Sequence, residues 1–418
     1  MDFELAHYPV RSLSWGANTE YREGELIVNR EALRAELLTE PLIDDVELSI
    51  VRPGDRTRVL HVADIVEPRW KDPERGGAFP GSLGPLYQCG LGRTHALDNV
   101  AVVTSGSLPR SEEAIIDMCG RGSELSRFGQ MPGLVVLPVP REGSDPGQFG
   151  LALMRAGLRT AVFLAETTKA VEPARTEAFS LDLGRGASPD LPRVGYLSFA
   201  YSHGIGRQKL FYGKSTKDIV SSVVHPNELL DGALVNDGYT KPTKNATHDI
   251  LNHPMIRELH RRHNRDLVFA GMVLANHHAT YEEKADTAFH AARLLRHAVA
   301  ADAVVITKDG GGQADVDLML ACRACEEAGL RTVLVAKEES GDDGPGMVDV
   351  APQADAMVSV GNCPEKVRLD ESMDQVIGGD AFLGAIQGEV AGTVEIPVQN
   401  IIGAIDPIGG STLTARPG

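Results

Sequence analysis

Polar and apolar positions alternate in two stretches near the start of the chain, Val46–Val51 and Thr57–Val66, on either side of Pro53-Gly54-Asp55. A period of two puts one face of a strand on a core, and a Pro-Gly-Asp run marks a turn. With Glu25–Val28 as a further short strand, residues 1–75 are expected to be β-rich. Residues 76–110 are Gly-rich and end in the strand-like Val100–Thr104; from about 111 to 170 the pattern becomes mixed α/β, with an apolar strand at Leu134–Val139. Beyond residue 193, strands and helices take turns. Val194–Ala200, Leu267–Ala275, Ala303–Thr307, Thr332–Ala336 and Ala356–Val360 read as strands. A helix over 281–299 is announced by Thr280 and Glu283 at capping-box spacing and by a stripe of Ala285, Ala288, Phe289, Ala292 and Leu295. A second helix, 314–328, stops at Gly329. This alternation predicts an α/β fold whose C-terminal part is a doubly wound, Rossmann-like parallel sheet, joined to a β-rich and α/β N-terminal region. The Gly/Pro/Asp-rich 181–193 serves as the linker, dividing the chain into 1–190 and 194–418. AGLRTAVFLAE (156–166) echoes AGLRTVLVAKE (328–338), which a helix–Gly–strand transition shared by both segments explains without duplication.

Charge and composition narrow the function classes. A formal net charge of −17 disfavours nonspecific contact with nucleic acid or an anionic membrane. No run of about 18 apolar residues exists to span a bilayer, and MDFELAHYPV lacks the basic and apolar regions of an export signal. The five cysteines, Cys89, Cys119, Cys322, Cys325 and Cys363, are too sparse for a disulfide framework and suit a reducing, cytoplasmic setting. Cys322-x-x-Cys325 falls inside a predicted helix on its apolar face, so core packing fits it better than redox chemistry.

Candidate chemistry gathers where strands end. Asp309, Gly310, Gly311, Gly312, Asp315 and Asp317 lie between a strand and a helix, and open parallel sheets bind ligands outside the carboxyl ends of their strands. Glycines let a ligand approach the backbone. Three carboxylates oppose a phosphate, so a cationic group suits the loop: an amine, a quaternary ammonium or a metal. Helix capping is the plainer reading. His277-His278 also follows a strand, and one of the two, with His225 or His203, is a candidate for catalysis. The expected pocket lies between the 309–317 loop, the 276–280 loop and the 225–240 segment.

Four segments resemble one family in its own order: GGAFPGSLGPLYQCGLGRTHAL (76–97), EEAIIDMCGRGSELSRF (112–128), LFYGKSTKDIVSSVVHPNELLDGA (210–233) and DAVVITKDGGGQADVDLMLACRACEEAGLRTVLVAKE (302–338). They are similar to the component B alpha/beta proprotein of glycine, sarcosine and betaine reductases. In that family HPNELLDGAL belongs to the processing region, and members that self-cleave carry a cysteine just beyond it that becomes a pyruvoyl group. Here Asn236, Asp237 and Gly238 stand at those positions, and Thr240 is the nearest hydroxyl. An acyl shift needs a thiol or hydroxyl, so the chain is expected to stay uncleaved and without pyruvoyl. The resemblance implies a subunit of a heteromeric reductase cleaving a carbon–nitrogen or similar bond, with a Cys- or Sec-bearing partner and an amine or quaternary ammonium substrate. Within that reading His225, Asn227, Asp237 and His277 are the candidate catalytic residues, and Asp309, Gly310, Gly311, Gly312 and Asp315 the candidate ligand site. The alternatives are a non-catalytic scaffold docking such a partner, and a metal-dependent lyase or hydrolase using His277 or His278 with Asp309.

Overall fold

The computed structural model describes residues 1–182, 188–202, 209–238, 245–341, 354–411 and 413–417. The fold is mixed α/β with several sheets. Near the N-terminus, Asp2–Pro9 is sandwiched between Arg175–Ser180 and Gly92–Asp98, while Ile43–Val51, Gly133–Pro140, Ala101–Ser105 and Val62–Val66 form a second four-stranded sheet. The helix Pro146–Ala165 packs against strands of both sheets and supplies twelve buried residues to the core between them.

A seven-stranded sheet organises the later part. Five strands run parallel in the spatial order Val268–Asn276, Arg193–Ala200, Ala303–Lys308, Arg331–Glu338, Ala356–Asn362, with the antiparallel Ser222–Val224 and Thr414–Pro417 on the two edges. Tyr281–Arg293 and Gln313–Glu327 cover one face, through Leu197, Phe199, Val273 and Ile306. Pro226–Leu230, Thr247–Leu251 and Pro254–Arg262 cover the other, through Tyr196, Met272 and Leu274. Both faces being dry, these strands are apolar at nearly every position rather than at every second one. Among the described residues no helix is long and apolar enough to cross a membrane.

Several expectations change. The Thr280–Glu283 capping box is present, but the helix it starts widens into a π-turn at Leu294–Ala298, and Phe289 is exposed. Its buried face instead carries Lys284, Thr287, Ala288, Ala291 and Ala292. Cys322 and Cys325 are fully buried, in agreement with core packing. The 156–166 segment is no helix–Gly–strand transition. Gly157 sits inside the helix Pro146–Ala165, whereas Gly329 ends a helix with φ +78° and hands over to the strand Arg331–Glu338. The chain also folds back after residue 362. Gln375–Ile377 pairs with Thr57–Val59, and Leu369, Ile396 and Ile401 share a core with Leu60 and Ile115.

The HPNELLDGAL stretch is neither surface nor loop. His225 caps the helix Pro226–Leu230, and Glu228 accepts from the His225 N–H in return. Asp231 then locks this helix onto the earlier Gly-rich segment. Its Oδ1 accepts from Thr94 at 2.5 Å and its Oδ2 from the Gly90 N–H at 2.8 Å and from Lys71. Tyr212 bridges the same two segments, donating to Glu228 at 2.6 Å and accepting from the Cys89 N–H at 3.0 Å. Replacing Asp231 by Asn strands the buried Lys71 ammonium, an expected cost of about 3–5 kcal/mol that a thermal melt well below wild type would register. An unchanged melting temperature would remove Asp231 as the lock.

Candidate functional site

Three parallel strands, Arg193–Ala200, Val268–Asn276 and Ala303–Lys308, end side by side and deliver Ser202, His277 and Asp309 to one edge. His277 is fixed on every side. Its N–H donates to Ser202 Oγ at 2.6 Å, Ser202 Oγ donates to its carbonyl at 2.8 Å, and its ring stacks on Phe199. Its Nε2 faces the main-chain oxygen of Asp309 at 2.9 Å, and its Nδ1 faces Asp317 Oδ2 at 3.0 Å. Lys284 reaches the same Asp317 carboxylate. Burial opposes ionisation of Asp317, but the hydrogen bonds and charges of His277 and Lys284 outweigh it and hold the carboxyl below its ordinary range.

The other two carboxylates of the Gly-rich loop are matched as well. Asp309 Oδ2 lies 2.8 Å from Lys209 Nζ, and Oδ1 accepts the Asn245 N–H at 2.8 Å. Asp315, in the first turn of its helix, lies 2.7 Å from Lys308, whose Nζ also donates to the Gly310 carbonyl at 2.9 Å. The excess negative charge read from the loop is therefore neutralised by lysines the local pattern did not assign to it. Two of the three glycines are covered. A Cβ on Gly310 would meet the Tyr201 ring at 2.6 Å and one on Gly311 would meet the Lys337 ammonium, while Gly312 alone faces open space.

The 225–240 segment divides. Asn236 and Asp237 reach this edge: Asn236 Nδ2 lies 3.3 Å from Asp64, and burial together with the nearby Asp309, Glu112 and Asp237 raises the Tyr201 hydroxyl to about 12. His225 and Asn227 lie away from this edge. Val224 pairs with Met272, which puts His225 about 20 Å along the strand from His277 at ~3.3 Å per residue. There His225 Nε2 meets the Leu181 carbonyl and Asn227 donates to the Phe179 carbonyl at 2.9 Å. Burial lowers the His225 pKa, which suits a neutral cap. His203, Tyr239 and Thr240 lie outside the described residues.

Residues with no local signal complete the edge. Asp64, from the N-terminal sheet, accepts from Thr247 N–H at 2.9 Å and Thr247 Oγ1 at 2.6 Å. Asn245 donates to Asp406 Oδ1 at 2.7 Å, and Arg127 pairs with Asp249 beside it. Lys209, Asn245 and Asp406 are far apart in sequence, and only Lys308, directly before Asp309, stood where a reading of the strand end could find it. As for a metal, His277 addresses the main chain of Asp309 rather than its carboxylate, so that pair does not converge as ligands. No group of three or more His, Cys, Asp or Glu among the described residues is placed to hold an ion.

The family model for glycine/sarcosine/betaine reductase component B subunits matches residues 1–416. The chain belongs to that family. It is 31% identical, over the full length of both chains, to "Glycine reductase complex component B subunits alpha and beta" of Peptoclostridium acidaminophilum. It is 30% identical, again end to end, to "Sarcosine reductase complex component B subunit alpha" of the same organism. To that organism's "Betaine reductase complex component B subunit alpha" it is 28% identical, over 88% of this chain and 86% of the relative. No solved structure matches it.

Two outcomes test the edge. Burial, with Asp249 adding to it against Arg127, raises Asp406 to about 6, above the ~3.9 of an unfolded chain. The folded state then holds the extra proton, so this group's contribution to stability is complete below about pH 4 and is lost as pH rises through about 6. Asp406→Asn should flatten the melting temperature between pH 4 and 7, and a variant that keeps the wild-type slope would assign the slope to another group. Asp309→Asn leaves Lys209 buried without its counter-charge, at about 3–5 kcal/mol. The paired change Asp309→Asn with Lys209→Met should recover most of the loss in a denaturant melt. No recovery would mean the two side chains act separately.

Proposed function

We propose that this chain is a subunit of a glycine/sarcosine/betaine reductase-like complex that cleaves a carbon–nitrogen bond reductively. The single observation that carries this reading is the end-to-end match to the component B family. The attacking chalcogen belongs to a partner. All five thiols here are shifted upward, chiefly by burial, Cys363 to about 11, and a thiolate is the species that attacks. In the proposed step a partner thiolate or selenolate displaces nitrogen from the substrate carbon. The C–N electron pair leaves with the amine, and a carboxymethyl chalcogenoether remains on the partner. This displacement needs no external electrons; the later reduction of the chalcogenoether does.

Pyruvoyl does not fit this chain. Asn236, Asp237 and Gly238 offer no nucleophile for an acyl shift, and Asn236 and Asp237 are buried in side-chain and packing contacts. No step is routed through such a group. Substrate recognition then rests on paired charges. Asp309, Asp315 and Asp317, each already matched by a lysine, present an edge of alternating sign. Such an edge suits a small zwitterion bearing both an ammonium and a carboxylate, as glycine, sarcosine and betaine do. His277, Asp237, Asp309 and Asp315 with the 310–312 glycines form the proposed site, and His225 and Asn227 hold the framework. The C-terminal sheet is read as doubly wound, the substrate entering at its carboxyl edge. The division at 190–194 is kept as the proposed domain boundary, and the setting as cytoplasmic.

Intact mass should be near 44.8 kDa. Two fragments meeting around 236–240 would end the uncleaved reading. With a Cys- or Sec-bearing partner subunit and a dithiol reductant, the chain should release amine from glycine, sarcosine or betaine, and neither subunit alone should do so. Release by this chain alone, or loss of release on replacing one of its cysteines by Ala at normal stability, would move the nucleophile here. No release from any of the three by the assembled pair would favour the scaffold role.

A further inference from the structure

The helix Tyr281–Arg293 and the π-turn Leu294–Ala298 that follows it carry an outward face that stays exposed among the described residues. Glu282, Asp286, Phe289 and Arg293 recur at steps of four, three and four residues, which places them on a single stripe of an α-helix. All four are exposed, and the Arg293 guanidinium lies over the Phe289 ring, 5.5 Å from its centroid. Phe289 lies at the middle of the stripe, 54% exposed. Beside it runs a groove of about 690 Å³ lined by Val220, Ser221, His290, Arg293, Leu294 and His297. Val220 is 75% exposed, and the strand that follows it, Ser222–Val224, is the outer strand of the seven-stranded sheet, with Val223 42% exposed.

The order of charges along the stripe identifies the occupant. Glu282 stands seven residues before Phe289 and Arg296 seven after it; Asp286 stands three before and Arg293 four after. Turned end for end about Phe289, the stripe sets each acidic position opposite a basic one. A two-fold axis at Phe289 would therefore lay Phe289 on its own copy, flanked by Asp286–Arg293 and Glu282–Arg296 pairs on both sides. Acidic first turns and basic last turns also complement the helix dipole, but that effect asks for no exposed Phe at the centre and no apolar groove alongside. A different protein, moreover, needs no pattern that complements itself on reversal. We infer that this face is a homodimer interface, formed by antiparallel packing of the 281–298 helix against the same helix of a second copy, with Val220 and Val223 buried at its margin.

The test uses the full-length chain by itself. Sedimentation equilibrium should give a species near 89.6 kDa, twice the 44.8 kDa of one chain. Arg293→Asp sets two acids against each other at both symmetric positions and should weaken dimerisation by about tenfold or more. Asp286→Arg should do the same. The double variant Asp286→Arg with Arg293→Asp restores opposite signs across the axis and should return to near wild-type association, while Phe289→Asp should give a monomer with an unchanged melting temperature. A wild-type monomer at all concentrations, or a double variant as weak as either single one, overturns the proposal. So does a monomer whose Phe289→Asp variant fails to join the Cys- or Sec-bearing subunit, since the face then belongs to that partner.

Discussion

A carboxylate removed from water has to meet a positive charge or a set of donors, and the carboxyl edge of the large sheet is built around that requirement. Asp309 meets Lys209, Asp315 meets Lys308, and Asp317 meets both Lys284 and His277. Each pair joins elements that no backbone ladder connects. Lys209 comes from beyond the strand Arg193–Ala200, Lys284 from the helix Tyr281–Arg293, and Lys308 from the end of its own strand. Attraction between buried charges is strong but offset by desolvation, so such pairs fix geometry more than they add stability. Here they set the position of the Gly-rich turn and, through the Asp309 main-chain oxygen, the ring of His277.

The same constraint ties this edge to the N-terminal sheet. Asp64 grips Thr247 and Asn236, and Asp309 grips the Asn245 N–H a few residues away. Asn236, Asn245 and Thr247 are thus held from two sides by Asp64 of one sheet and Asp309 at the end of another. Asp406 enters the network through Asn245 from the far end of the chain. A movement of one sheet against the other would have to break charged hydrogen bonds here, each worth more than a neutral one.

HPNELLDGAL has a physical role that is independent of any processing reaction. Its histidine and glutamate cap a short buried helix, and its Asp231 gathers Thr94 and the Gly90 N–H from the earlier Gly-rich segment together with Lys71 just before it. Two of the stretches that carry the family resemblance are therefore the two halves of one lock. Their residues join the two segments directly, whatever stands at positions 236–238.

The five parallel strands of the large sheet and the two helices on one of its faces followed from sequence alone, because a sheet buried on both faces forces apolar runs and capping residues mark where helices begin; the edge strands, the short helices on the other face and the return after residue 362 did not. Thr280 with Glu283 and the terminal Gly329 were legible for that reason. The acidic glycine loop, too, was visible as a strand-to-helix junction. Its charge balance was not, since Lys209 and Lys284 lie 100 and 25 residues from Asp309 and local pattern carries no record of such pairings. His225 and His277 looked alike as histidines near strand ends; the antiparallel register of Ser222–Val224 carries His225 about 20 Å away from His277 at ~3.3 Å per residue. Nearly identical segments met different fates for the same reason. AGLRTAVFLAE stays helical where Gly157 packs under a sheet, whereas AGLRTVLVAKE breaks at a left-handed Gly329 and enters one. Local sequence determined which conformations were open to each segment. Tertiary packing decided among them, because burial and charge pairing between distant residues outweigh the small differences in local preference.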